Sequence, residues 1–332
     1  MILLATDANP VPPGADARMI AAGDGVALRV ARWACAGAPK GTVVIASGRG
    51  EFVEKYFPAV ATMLAANFHV VAFDWRGQGL SARELANPRK GHIDDFSLYQ
   101  RDLDAVRAQV LEPHCPKPWF ALGHSMGGAI LLAQAHAGRS PFDRMVLSAP
   151  MIDLAGLRFP RGVRLLAAAL DILGFGGAFI PGGGETTYLS QPFAANVLTT
   201  DPERYAVVAE IAARHPQLAL GAPTIGWLNA AFRLMRQFEN PDYAAAIRVP
   251  ALIVTAGDDQ VVDTPAIARF AAWMKAGHGL TIAGARHELL IERDIFAQQF
   301  WAAFGAFIPG TVAELEAFSP EAPPERLQAA AS

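Results

Sequence analysis

Short apolar runs recur along the chain, and most consecutive runs are separated by a segment long enough for one helix. Several runs are apolar without interruption, as are strands that are covered on both faces of a sheet. The pattern predicts strands at Ala27–Trp33, Thr42–Ala46, Val70–Phe73, Trp119–Gly123, Met145–Ser148, Ala251–Thr255 and Gly279–Ile282. It predicts helices at Glu54–Ala66, Leu98–Leu111, Gly127–Ala137, Pro265–Met274 and Arg293–Phe307. This alternation is typical of an α/β protein with a mostly parallel sheet.

One interval departs from the alternation, because about one hundred residues separate the strand ending at Ser148 from the strand starting at Ala251. Its apolar residues fall at helical spacing, and Asp201-Pro202 is a typical N-cap and first-turn pair. These apolar residues are Tyr205, Val208, Ile211, Leu228, Phe232, Met235 and Phe238. The glycine-rich segment 174–184 favours a mobile connection without regular structure.

These patterns divide the chain into a core and an inserted cap. We expect the core to consist of residues 1–150 and 250–308, and the helical cap to consist of residues 151–249. Residues 309–332 are rich in Pro, Ala and Glu and are expected to form a flexible tail. The first 15 residues are also expected to be loosely attached.

Charged residues of both signs are mixed along the chain, with 28 Lys and Arg, 31 Asp and Glu, and a formal net charge of −3. No basic face is expected, so nucleic acid is not an expected partner. Cys35 and Cys115 lie far apart, which favours two buried thiols over a disulfide framework or a zinc site. The start of the chain does not resemble a secretory signal, and no run reaches roughly 18 uncharged apolar residues. We therefore expect a cytoplasmic protein without stable membrane insertion.

The segment Gly123-His124-Ser125-Met126-Gly127-Gly128 lies between a predicted strand and a predicted helix. A serine on such a sharp turn needs flanking glycines, because a side chain there would strike the neighbouring strand or helix. The turn lifts the serine hydroxyl out at the carboxyl edge of the sheet. The pattern predicts a nucleophile elbow with Ser125 as the nucleophile, and His124 is expected to pack beside the sheet rather than react.

A serine hydroxyl needs a base that takes its proton, and the base needs an acid that fixes its tautomer. His287 follows the last predicted strand, and Asp258, Asp259 and Asp263 follow the strand before it. The order serine, aspartate, histidine is typical of an α/β protein with a nucleophile elbow. His287 is therefore predicted as the base and one of the three aspartates as the acid. The other histidines lack metal-ligand spacing, so no metal site is expected.

With these motifs the chain resembles the α/β-hydrolase superfamily, in the branch of monoacylglycerol lipases and bacterial lysophospholipases, which are serine aminopeptidase S33-like hydrolases. The resemblance runs from about residue 17 to residue 307. Besides the elbow it rests on Asp74-Trp75-Arg76-Gly77-Gln78-Gly79-Leu80-Ser81 and on Asp259-Gln260-Val261-Val262. It implies a mostly parallel sheet flanked by helices, with a helical cap after the sixth strand. It also favours Asp259 as the acid, with Asp258 as the alternative.

The same branch usually carries His-Gly after the third strand, and the backbone N–H of the next residue helps to hold the oxyanion. Here Ser47 replaces the histidine, and the next residue after the glycine is Arg49. Because the donor is a backbone group, the N–H of Arg49 can still serve, together with the N–H of Met126. Asp74 and Arg76 are expected to brace the loop near the active site.

The resemblance implies a serine hydrolase that cleaves carboxylic esters through an acyl-enzyme and needs no cofactor. Its substrate would be a small ester or lipid, such as a lysophospholipid or monoacylglycerol. The insert 151–249 is rich in aromatic residues and has eight acidic and eight basic residues, which favours a lipophilic acyl chain and an uncharged or zwitterionic head. Transient contact with a lipid surface is compatible with this composition. The alternatives are an amidase or aminopeptidase, an acyltransferase, or a binding module without catalysis.

Overall fold

The structure is a computed structural model that describes residues 3–308. Its strands are β1 (Ala15–Ala21), β2 (Ala27–Trp33), β3 (Thr42–Ala46), β4 (His69–Phe73), β5 (Trp119–His124), β6 (Arg144–Ser148), β7 (Ala251–Ala256) and β8 (Gly277–Ile282). They form one sheet in the order β1-β2-β4-β3-β5-β6-β7-β8. The pairs β1–β2 and β2–β4 are antiparallel, and all other neighbours are parallel. The predicted mostly parallel sheet is confirmed.

The edge strand β1 is not among the predicted strands, because most of its residues are exposed or half-buried and no apolar run marks it. The expectation that the first 15 residues are loosely attached is wrong for residues 3–15. Leu3 and Asn9 are buried. The side chain of Asn9 donates to the Glu54 carbonyl at 2.9 Å, and the Leu4 N–H donates to the Glu54 carboxylate at 3.1 Å. These polar contacts join distant parts of the chain, so composition does not reveal them.

Helices lie between and after the strands, as predicted. They are α1 (Phe57–Ala65), α2 (Leu98–Val106), α3 (Glu112–His114), α4 (Met126–His136), α5 (Pro160–Leu170), α6 (Pro202–Arg214), α7 (Ile225–Phe238), α8 (Pro241–Ala246), α9 (Thr264–Trp273) and α10 (Asp294–Phe307). Wider π-type turns continue α2 over Arg107–Leu111 and α5 over Asp171–Phe175. Single 3₁₀ turns occur at Val53–Tyr56, Tyr188–Ser190, Phe193–Ala195, Pro216–Leu218 and Leu289–Ile291.

Apolar side chains cover both faces of the sheet. In β3, Val43 and Ile45 belong to the cluster on one face, and Val44 and Ala46 belong to the cluster on the other. All four side chains are 0–1% exposed. Burial of each large aliphatic side chain stabilises the fold by about 1.5–3 kcal/mol. This double coverage explains why β3 reads as an uninterrupted apolar run.

The long interval between β6 and β7 contains the helices α5 to α8, and β6 is the sixth strand of the sheet. Asp201 is the N-cap of helix α6 as predicted, and its carboxylate accepts from the N–H groups of Glu203 and Arg204 at 3.0 Å. Helix α7 buries the predicted apolar stripe that includes Phe232 and Phe238. Within residues 3–308, none of the helices has the length and apolar character needed to cross a bilayer. The predicted tail 309–332 lies outside the described residues.

Candidate active site

Ser125 is the single residue between strand β5 and helix α4. Its backbone has φ 48° and ψ −114°, a strained conformation of the kind that costs about 1–3 kcal/mol in a residue other than glycine. The chain beside it holds this conformation. The Ser125 N–H donates to the Ser148 carbonyl at 3.0 Å, and the Met151 N–H donates to the Ser125 carbonyl at 3.0 Å. Since the Ser125 side chain does not cap α4, its hydroxyl is available for chemistry.

The glycines of this turn are required by close approaches of the backbone. A Cβ atom at Gly127 would lie 2.1 Å from the carbonyl oxygen of Ala46, at the end of β3. A Cβ atom at Gly123 would lie 2.9 Å from the Cα of Gly128. Both distances are too short for any side chain. The turn therefore requires glycine at these two positions, for the steric reason predicted from the sequence.

His287 and Asp259 form a buried pair after strands β8 and β7. The Nδ1 atom of His287 lies 2.8 Å from the Oδ2 atom of Asp259, and their side chains are 4% and 0% exposed. The other carboxylate oxygen of Asp259 accepts from the N–H groups of Val261 at 2.8 Å and Val262 at 3.0 Å. Because a carboxylate can only accept here, Nδ1 carries the proton and Nε2 of a neutral His287 remains a free base.

The two other candidate carboxylates serve different purposes. Asp258 is exposed, and its N–H donates to the Ala285 carbonyl at 2.9 Å. Asp263 is the N-cap of α9 and accepts from the Ala266 N–H at 2.6 Å. Of the three aspartates, only Asp259 therefore contacts His287 among the hydrogen bonds of residues 3–308.

The loop after β3 is held by the buried side chain of Gln78. Its Nε2 donates to the Gly48 carbonyl at 2.8 Å, and its Oε1 accepts from the Gly50 N–H at 3.1 Å. These two contacts fix the backbone on both sides of Arg49. In the described part of the chain, the N–H groups of Arg49 and Met126 donate to no other residue. Both predicted oxyanion donors are thus unused.

The turn Asp74–Ser81 braces this region through Asp74. One carboxylate oxygen of Asp74 accepts from the Val53 N–H at 3.0 Å, and the other contacts the Arg29 guanidinium at 2.6 Å. Arg76 holds the same turn through ion pairs with Asp102 at 2.7 Å and with Asp24 at 2.8 Å.

A buried cluster of charged side chains lies beside His287, and the sequence did not reveal it as a cluster. The ammonium of Lys55 lies 2.5 Å from the Glu51 carboxylate and 2.6 Å from the Glu288 carboxylate. His124 Nε2 lies 3.4 Å from Glu51 and 3.3 Å from Glu288. The rings of His124 and His287 have centroids 4.8 Å apart. His124 packs beside the sheet as expected, but it also joins this cluster to the base.

Burial and nearby charges act in opposite directions on the pKa of Glu288. Burial raises the pKa of Glu288, but the charges of Lys55 and His124 outweigh burial and hold that pKa well below its ordinary value. Potential ligand atoms of Glu51, His124 and Glu288 lie within 4.8 Å of one another, a grouping that the sequence did not suggest. Because the Lys55 ammonium contacts both carboxylates, part of the balancing positive charge is already supplied by the chain. Only the four-residue spacing of Glu51 and Lys55 could have indicated part of this cluster.

Ser125 and His287 line one cavity of about 490 Å³. Apolar residues from the interval between β6 and β7 form part of its walls. Among them are Leu154, Leu157, Val163, Ile180, Leu228 and Phe232. A cavity of this size and lining suits a small apolar ligand with a few polar contacts.

A serine on a strained strand-to-helix turn, a histidine–aspartate pair and unused backbone donors define a serine hydrolase with the α/β-hydrolase fold. The chain matches the family described as serine aminopeptidase, S33, over residues 37–294, and it belongs to that family. The family and its ester-cleaving relatives place it in the ester hydrolase class.

Two curated relatives are similar over most of their length. Lysophospholipase L2 of Escherichia coli (strain K12) is 34% identical over 263 residues, which cover 76% of this chain and 75% of that protein. The monoacylglycerol lipase of Mycolicibacterium smegmatis is 29% identical over 224 residues, which cover 68% and 72%. A solved carboxyl esterase from Bacillus coagulans in complex with glycerol has a TM-score of 0.71 at 20% identity, covering 90% of this chain and 100% of that one. That likeness shows the shared fold.

Proposed function

We propose that this protein cleaves the carboxylic ester of lysophospholipids or monoacylglycerols, with Ser125 as the nucleophile, His287 as the base and Asp259 as the orienting acid. The observation that carries the proposal is the 2.8 Å contact between His287 Nδ1 and Asp259 Oδ2 at the cavity that Ser125 lines. The names of two relatives, lysophospholipase L2 and monoacylglycerol lipase, support these two substrate classes.

The reaction follows from the roles of these groups. The Ser125 Oγ attacks the ester carbonyl while His287 Nε2 takes its proton. The N–H groups of Met126 and Arg49 stabilise the oxyanion, and loss of one such donor typically costs about 2.7–4 kcal/mol of transition-state stabilisation. The C–O bond then breaks as His287 protonates the leaving alcohol, which leaves an acyl-enzyme. A water activated by His287 attacks that acyl group and releases the acid.

We also propose that residues 151–249 act as a cap that selects the acyl chain. Support comes from Leu228 and Phe232, which line the same cavity as Ser125 and His287. Replacing Leu228 or Phe232 with Ala should shift the acyl-length preference in kcat/KM, because the apolar wall becomes wider. Phe159→Ala is the matched control, since Phe159 is 68% exposed and does not line the cavity. An identical preference in all three variants would contradict the cap assignment.

An aminopeptidase activity is the main alternative, and the family description contains that name. A free amino terminus carries a positive charge and needs an unpaired carboxylate at the site. The carboxylates that line the cavity belong to Glu51 and Glu288, and both already contact Lys55. The site therefore favours an ester with an apolar acyl chain.

Purified protein can distinguish these functions. We expect higher kcat/KM for acyl esters of medium chain length than for aminoacyl arylamides, together with covalent labelling by a fluorophosphonate probe. Ser125→Ala should lose both the activity and the labelling. Preferential cleavage of the arylamides would overturn the ester assignment, and labelling that persists in Ser125→Ala would overturn the nucleophile.

A further inference from the structure

Arg49 lines the cavity, and its side chain has no carboxylate partner in the part of the chain that the structure describes. Its Nη2 donates to the Gly221 carbonyl at 3.0 Å, and its guanidinium lies 5.2 Å from the ring centre of Trp227. Its Nε is buried and has no hydrogen-bond partner. Across residues 3–308, no carboxylate lies within ion-pair distance of this guanidinium.

Arg49 is half-buried, whereas the two fully buried arginines of residues 3–308 are neutralised by carboxylates. Arg29 contacts both Glu54 and Asp74, and Arg76 contacts Asp24 and Asp102. A partly desolvated cation without a counter-ion is also costly unless another group compensates it, and the Nε atom of Arg49 is itself buried.

Arg49 also keeps its charge at neutral pH. Burial lowers the pKa of its guanidinium to about 10, which is still well above 7. A permanent positive charge in the wall of a catalytic cavity is complementary to an anionic group on the substrate.

The other charged groups that line the cavity are already engaged. Glu51 and Glu288 contact Lys55, and His287 contacts Asp259. Arg49 is thus the charged side chain of this cavity that, among residues 3–308, has no charged partner. An anion that enters the cavity would find its strongest attraction there.

The position of Arg49 relates this charge to the scissile bond. The backbone N–H of Arg49 is proposed to hold the oxyanion. The same residue would therefore place both a backbone donor at the ester carbonyl and a charged side chain in the cavity. In a lysophospholipid, a glycerol unit joins that ester to a phosphodiester, whereas a monoacylglycerol has no anionic group. The planar N–H donors of a guanidinium match the oxygen atoms of a phosphate.

We infer that the Arg49 side chain binds the phosphodiester of a lysophospholipid and selects lysophospholipids over monoacylglycerols. This inference rests on the proposed function and deepens it, because it identifies the substrate class. Arg49 is then a specificity-determining residue through its side chain, in addition to the proposed role of its backbone.

The test compares two substrates that share one acyl chain, lysophosphatidylcholine and 1-monoacylglycerol. In Arg49→Gln, the kcat/KM for lysophosphatidylcholine divided by that for 1-monoacylglycerol should fall at least tenfold. The main cause should be a higher KM for lysophosphatidylcholine. Arg49→Lys should recover part of the ratio, because it restores the charge without the planar donors. Arg164→Gln is the matched control, since Arg164 pairs with Asp153 and Glu239 and should leave the ratio unchanged.

An unchanged ratio in Arg49→Gln, or equal losses on both substrates, would overturn the inference while leaving the proposed function intact. Failure of the unmodified protein to cleave either lipid would instead overturn the proposed substrates. Thermal unfolding of each variant identifies any loss of activity that comes from misfolding. If Arg49→Gln is misfolded, the kcat/KM ratio measured for Arg49→Lys decides the question.

A second measurement separates the phosphate of a head group from the carboxylate of a product. Glycerol 3-phosphate should inhibit the unmodified protein competitively, and its inhibition constant should rise at least tenfold in Arg49→Gln. Octanoate should inhibit both proteins equally. Selective loss of octanoate inhibition would show that Arg49 binds the released acid, and this result would overturn the inference.

Discussion

The Nδ1 atom of His287 lies 2.8 Å from Oδ2 of Asp259, and the N–H groups of Val261 and Val262 hold the other carboxylate oxygen of that aspartate. Asp259→Asn should therefore lower kcat by a factor on the order of 10⁴, because an amide favours the wrong tautomer of the base. Steady-state kinetics check this. Asp258→Asn is the matched control and should stay within a few fold, since Asp258 is exposed. The reverse order of effects would exclude Asp259 as the acid.

Ser125→Ala and His287→Ala should each reduce kcat to near background, by roughly 10⁶-fold if the groups act as a unit. The double variant should be hardly worse than either single variant, because either loss already disables proton transfer and attack together. Kinetics of all three proteins on one ester measure this coupling. Losses that multiply would mean that the two residues act independently.

Gln78→Leu should lower kcat more than it changes KM. The change removes the contacts to Gly48 and Gly50 that fix the backbone around Arg49, so the proposed oxyanion donor loses its position. A decrease of about 10- to 100-fold is expected, below the 10²- to 10³-fold effect of losing a donor outright. Gln134→Leu replaces another buried glutamine outside these loops and should leave kcat nearly unchanged. Equal effects of both variants would indicate a general loss of stability.

Gly127→Ala should prevent folding or lower Tm strongly, because the new Cβ atom would lie 2.1 Å from the Ala46 carbonyl oxygen. Gly305→Ala provides the opposite control within helix α10, since no neighbouring atom of residues 3–308 lies within 4 Å of its Cβ position. That change should stabilise the protein by about 0.5–1 kcal/mol through higher helix propensity. Thermal unfolding distinguishes the two variants, and a stable Gly127→Ala protein would refute the steric explanation of the turn.

His124→Gln should reduce stability more near about pH 6 than near about pH 9. Burial lowers the pKa of His124, but the carboxylates of Glu288 and Glu51 outweigh burial and the repulsion by Lys55 and raise that pKa above 6.5. A raised histidine pKa contributes stability that is present below 6.5 and is lost as pH rises through the folded-state value. The Tm difference between the unmodified protein and the variant should thus shrink on alkalinisation. A constant difference would mean that His124 acts by packing alone, against neighbours such as His287.

Much of the fold could be predicted because its signals are local. The strand β3 is apolar throughout, since both faces of the sheet are covered. The elbow at Ser125 needs glycines within a few residues, and the helices of the insert show their spacing within two or three turns. Strand β1 escaped prediction because an edge strand buries few side chains and leaves no apolar run.

The sequence by itself determined the α/β architecture, the elbow around Ser125 and the position of His287, because each depends on residue types within one short segment. Only the tertiary structure decided that Asp259 rather than Asp258 contacts His287, since both follow the same strand and only backbone direction separates them. It also decided that Glu288 contacts Lys55 and that Arg49 contacts no carboxylate among residues 3–308. These relationships concern side chains that are far apart in the sequence. Sequence spacing does not predict such contacts, because only the packing of the folded chain brings the charges together.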